Sequence, residues 1–113
     1  MSQFAIYPSL KDRAVFVTGG GSGIGASIVE HFCAQKSKVA FVDIAADASR
    51  ALVEAIGKAA HPKPLFIPCD LRDIEALRGA VAEAGKALGP IRALVNNAGH
   101  DDRHKPADVT VAY

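Results

Sequence analysis

The sequence predicts an α/β fold in which a doubly wound parallel sheet carries helices on both faces, and three observations lead there. Thr18-Gly19-Gly20-Gly21-Ser22-Gly23-Ile24-Gly25 stands between an apolar run and a stretch of helical periodicity. Four apolar runs of strand length alternate with three amphipathic stretches along the chain. An acid, Asp43, follows the second apolar run, eighteen positions beyond Gly25. Strand, crossover helix and strand in succession make βαβ units, and their right-handed connections fold them into one parallel sheet.

The leader up to Leu10 contains Pro8 and shows no periodicity, so it is expected to be loosely held. Val15-Phe16-Val17 reads as a buried strand, because a parallel strand covered on both faces is apolar at every position. From Ile24 onward a helix begins, with Ile28, Val29, Phe32 and Cys33 on one face. Val39-Ala40-Phe41-Val42 is the second strand. Ala48, Ala51, Leu52, Ala55, Ile56 and Ala59 follow helical spacing, and His61-Pro62-Lys63-Pro64 ends that helix, since proline cannot continue the ladder. Leu65-Phe66-Ile67 makes the third strand. Ile74, Leu77, Val81, Ala84 and Leu88 make a third helix that Gly89-Pro90 stops, and Ile91 to Val95 is the fourth strand.

Composition narrows the functional classes. With 113 residues, half of them apolar, the chain can bury a single core. A net charge of +1 without a basic cluster leaves no electrostatic footprint for nucleic acid. No apolar run is long enough to cross a bilayer and no signal-peptide core is visible, so a cytoplasmic protein without a membrane partner is expected. Cys33 and Cys69 lack metal-ligand spacing and read as two buried, reduced thiols. His100-Asp101-Asp102-Arg103-His104 combines metal-ligating residue types, but consecutive loop residues do not fix ligands at coordination distances and Arg103 opposes a cation. No metal is expected there; a polar loop bordering a substrate cleft is.

The glycine turn is suited to an anion. Five glycines within seven positions let the backbone turn tightly and approach a pyrophosphate, while the following helix N-terminus offers N–H groups and a partial positive charge. The spacing is T-G-x-x-x-G-x-G, and no Gly-Lys-Ser/Thr follows as a P-loop requires. Asp43, at the end of the second strand, is placed to accept hydrogen bonds from an adenosine ribose and to repel a 2′-phosphate, which selects NAD over NADP. Its alternative role is to cap the next helix. Asp70, at the end of the third strand, is similarly placed to accept from the adenine amino group, with helix capping again the alternative.

Asn96-Asn97-Ala98-Gly99 closes the fourth strand. Together with the glycine turn, the acid after strand two and Asp70-Leu71 after strand three, it resembles the short-chain dehydrogenase/reductase family over about Leu10 to Gly99. The resemblance implies the N-terminal part of a Rossmann-like fold with strand order 3-2-1-4. It places Gly19, Gly21, Ser22, Gly23, Ile24 and Gly25 along the phosphates and Asp43 at the ribose. Asp70 and Leu71 frame the adenine; Asn97, Ala98 and Gly99 pass beneath the second ribose. The implied reaction moves a hydride between NAD and a small-molecule alcohol, ketone or sugar, in a protein that is a homo-oligomer when full length. The N-A-G-x-D-D-R-H run is similar to that of bacterial sugar 1-dehydrogenases in the family.

Three departures from the family pattern stand out. Lys36-Ser37 replaces a frequent glycine after the first helix, so a non-glycine residue is expected in the left-handed conformation. Arg72 stands where a helix-capping serine or threonine is common, so a lost cap and a small cost in stability are expected there. The family's serine, Tyr-x-x-x-Lys pair and helical asparagine would all lie past the fourth strand, and Tyr113 has no lysine after it. Residues 1–113 therefore read as an incomplete NAD(P)-binding domain, the cofactor half without catalytic residues, expected to be inactive alone and to expose the edge of its fourth strand. A non-catalytic dinucleotide sensor of the same fold is the alternative. A methyltransferase-like domain is a weaker one, because the gap between Gly19 and Gly23 and the N-N-A-G run argue against it.

Overall fold

The computed structural model describes residues 5–21 and 23–97; Ser22, Ala98, Gly99, the run from His100 to His104 and Tyr113 lie outside the described residues. A 3-10 turn at Pro8–Leu10 leads into β1 (Ala14–Thr18), α1 (Gly23–Ala34), β2 (Lys38–Asp43), α2 (Ala46–Lys58), β3 (Leu65–Pro68), α3 (Ile74–Leu88) and β4 (Ile91–Asn96). All strand pairs are parallel, in the order β3-β2-β1-β4. The chain runs outward from β1 to β3 and then returns to the other side of β1, which makes the gap between β1 and β4 the topological switch point.

The central strands explain the double winding. Val15 and Val17 of β1 turn to one face and pack with Val29 and Cys33 of α1 and Leu52 and Ile56 of α2. Phe16 between them turns to the other face, where Ala40, Val42 and Ile67 meet Ala80 and Ala84 of α3. Each large side chain so buried contributes roughly 1.5–3 kcal/mol, and neither face is spare. β4 differs: its residues alternate between half-buried and exposed, and Leu94 is 66% exposed. β4 is an outer strand of the sheet among the described residues.

The α1–β2 connection bears out the left-handed turn: Lys36 has φ 67°. Ser37 is buried, and its hydroxyl donates to the Leu10 carbonyl at 2.6 Å. Gln35 accepts from the Tyr7 amide and donates to the Ala5 carbonyl, both at 2.8 Å, so the segment before β1 is tied to the end of α1. The capping expectation at Arg72 needs correction. α3 is capped one residue later by Asp73, whose carboxylate accepts from the Ala76 amide at 3.1 Å, so no cap is lost.

Candidate functional site

The carboxyl ends of all four strands meet on one rim of the sheet, and the glycine turn lies at its centre. The amides of Gly19 and Gly20 donate to the Val42 carbonyl at 2.8 and 3.3 Å, and that of Gly21 donates to Asp43 Oδ2 at 2.9 Å. These three amides thus fasten the turn to β2. The first-turn amides of α1 have no acceptor within the helix. Gly25 lets the helix come this close: a Cβ there would run into the Gly19 carbonyl oxygen and stand 2.7 Å from Asn97 Nδ2. Gly23 has φ 59°, a conformation that L side chains rarely adopt, and open space where its Cβ would be. The cradle is therefore shaped by missing side chains, as close approach of a phosphate backbone requires.

Asp43 is not the cap of α2. The N-cap position belongs to Ala45, which makes no side-chain cap bond. The Asp43 carboxylate instead spans two loops: Oδ2 takes the Gly21 amide, and Oδ1 takes the Ala45 amide at 2.8 Å. Ser49, fully buried, packs beneath Gly21 and donates to the Ala45 carbonyl at 2.7 Å. Ser49 is invisible in the sequence, because a lone serine in a helical pattern gives no sign that it is buried.

At the other side of the turn, Thr18 and Asn96 are register partners at the ends of β1 and β4, and their side chains lie 3.0 Å apart. Thr18 Oγ1 accepts from the Asn97 amide at 3.0 Å, and Asn97 Nδ2 donates to the Gly19 carbonyl at 3.2 Å. The two asparagines thus lock β4 to the glycine turn. Asp70 is half-buried at the end of β3 and binds Arg72 through both carboxylate oxygens. Leu71 packs partly buried against the α3-side core. Ile24 and Ile44 are 75% and 66% exposed beside these groups. Ile44 was overlooked in the sequence, where an isoleucine directly after a strand-terminal acid is the signal that could have marked it.

No cluster of three metal-ligating side chains exists among the described residues, and none of their helices is long and apolar enough to cross a membrane. Both cysteines are buried and unpaired by disulfide. Burial, helped by Glu30, pushes the Cys33 thiol up to about 12, and burial beside Asp73 and Asp70 raises that of Cys69. A groove between the C-terminal halves of α1 and α2, lined by Glu30, His31, Ala34 and Ala55, lies at the far end of the helices from the glycine turn.

A parallel 3-2-1-4 sheet with a glycine turn at its switch point is a Rossmann-like domain. The chain belongs to the short-chain dehydrogenase/reductase family, whose members use NAD or NADP: the sequence profile described as short chain dehydrogenase matches residues 13–112. It is 54% identical over 104 residues to a probable galactose dehydrogenase of Rhizobium meliloti, covering 92% of this chain and 41% of that protein. It is 50% identical over 109 residues to D-xylose 1-dehydrogenase of Caulobacter vibrioides, covering 96% of this chain and 42% of that protein. A dehydrogenase/reductase structure from Sinorhizobium meliloti superposes with a TM-score of 0.78 at 36% identity, covering 90% of this chain and 40% of the other. The chain thus spans about two fifths of the length of these relatives.

Proposed function

We propose that this chain is the NAD-binding part of a sugar dehydrogenase, one that oxidises the C1 hydroxyl of an aldose. The observation that carries the cofactor choice is the Asp43 carboxylate, fixed between the Gly21 and Ala45 amides at the rim of β2. There it accepts from the ribose hydroxyls and repels a 2′-phosphate. The first-turn amides of α1 receive the pyrophosphate, with the helix dipole adding roughly 0.3–1 kcal/mol. Asp70 and Leu71 frame the adenine, and Asn97 with Ala98 and Gly99 carries the nicotinamide ribose. When bound, NAD supplies the hydride acceptor. The groups that move the hydroxyl proton lie outside this chain in the intact protein, which acts as a homo-oligomer in the cytoplasm. The names of the relatives support the sugar.

The test is made on the intact protein. Affinities for NAD and NADP are compared before and after Asp43→Asn, and NADH formation is followed with D-xylose and D-galactose. A wild type that prefers NADP, or a preference untouched by the substitution, overturns the ribose assignment. Absence of turnover with both sugars overturns the substrate class.

A further inference from the structure

Arg72 and Asp70 form a forked ion pair at the carboxyl end of β3. Arg72 Nη2 lies 2.9 Å from Asp70 Oδ2, and Nε lies 3.1 and 3.3 Å from Oδ1 and Oδ2. The Arg72 backbone amide adds a bond to Oδ1 at 3.0 Å. One residue thus grips both oxygens of the carboxylate with a planar fork and a backbone donor, a geometry lysine cannot reproduce.

Folding does not call for this grip. The turn is closed by the Asp73 amide on the Asp70 carbonyl at 2.9 Å, and α3 has its cap in Asp73. The two side chains are 72% and 42% exposed, and an ion pair so wet adds little to stability. Its place is more telling. β3 pairs Pro68 with Asp43, and the Cys69 amide bonds the Asp43 carbonyl, so Asp70 leaves the sheet on the rim that holds the Asp43 carboxylate.

We propose that Arg72 is a positioning residue for the purine end of the dinucleotide: it holds the Asp70 carboxylate in one orientation to accept from the exocyclic amine of adenine. The inference rests on the cofactor reading given above. A carboxylate fixed in orientation discriminates between a purine that donates at this position and one that presents an oxygen there, because the latter sets two acceptors against each other. Without the guanidinium fork the carboxylate keeps the backbone amide on Oδ1 but loses the grip on Oδ2, and with it most of that discrimination.

The experiment compares equilibrium affinities of the intact protein for NAD and for nicotinamide hypoxanthine dinucleotide, in which an oxygen replaces the amine. Wild type is expected to favour NAD by about five-fold or more, the worth of one net hydrogen bond. Asp70→Ala is expected to bring the ratio close to one and Arg72→Gln to lower it by at least half, while Arg72→Lys falls between Arg72→Gln and wild type. Thermal denaturation of each variant reports that it is folded. Equal weakening of both dinucleotides in Arg72→Gln, or no change in their ratio, overturns the proposal while leaving the cofactor reading intact. A wild type that binds neither dinucleotide overturns both.

Discussion

The backbone amide of Gly21 donates to the carboxylate of Asp43 at 2.9 Å, across twenty-two residues of chain. The acid expected to recognise a ribose is thus also the bracket that holds the glycine turn against β2. Its two duties are separable, because one depends on an acceptor atom and the other on charge.

Asp43→Asn removes the charge and keeps one acceptor oxygen for the two amides of Gly21 and Ala45. The preference for NAD over NADP should fall by about ten-fold, equivalent to roughly 1.4 kcal/mol, with about 1 kcal/mol of stability lost in urea because one of the two amides meets an NH2 group in place of an oxygen. Asp43→Ala removes both acceptors and should cost a further ~1–2 kcal/mol of stability, since the Gly21 and Ala45 amides are then both left without this partner. Equal stability of the two variants would sink the bracket.

Gly25→Ala forces a methyl group into the Gly19 carbonyl and the Asn97 amide. Denaturant titration should show a loss of about 2–3 kcal/mol, and NAD affinity should fall with it. Gly79, exposed on α3 with open space where its Cβ would be, is the control. Gly79→Ala should stabilise by about 0.5–1 kcal/mol through helix propensity.

Lys36 and Ala60 hold φ of 67° and 62°. A left-handed non-glycine residue costs roughly 1–2 kcal/mol, partly offset in a glycine variant by the greater freedom of its unfolded chain. Lys36→Gly and Ala60→Gly should each raise the melting temperature, with a net gain of about 0.5–1 kcal/mol. A decrease in both would contradict the assigned backbone.

The Cys33 thiol is held up to about 12 by burial and Glu30, against 9.0 for an ordinary thiol. The folded state therefore keeps its proton where the unfolded chain loses it. This contribution is whole below pH 9.0 and is lost as pH rises toward about 12. The slope approaches about 1.4 kcal/mol per pH unit. Chemical denaturation across that range should show the decline in wild type and a shallower one in Cys33→Ala.

Most of the fold was legible because the central strands are apolar at every position and the helices are not. The third helix has the predicted limits, Ile74–Leu88, since a proline-containing stop and a charged approach bound its periodicity. The strands exceed the predicted runs by a residue or two, as at Ala14 and Thr18, because hydrogen bonding continues beyond the apolar side chains. Lys36 was readable from the absence of glycine. Arg72 was not: whether it caps a helix or grips Asp70 depends on where the turn closes, which only the backbone path decides. Ser49 escaped for a related reason, being polar by composition and buried only because Gly21 sits above it.

Thr18 meets Asn96 and Asn97 across seventy-eight and seventy-nine residues of chain. During synthesis the glycine turn must wait for β4 to emerge before that side of it is braced, so ordering of the cradle is a late event paid for by long-range closure. Dinucleotide affinity then becomes a reporter of chain length: nascent chains ending before Ile91 should bind weakly, and those extending beyond Asn97 should gain affinity in one step.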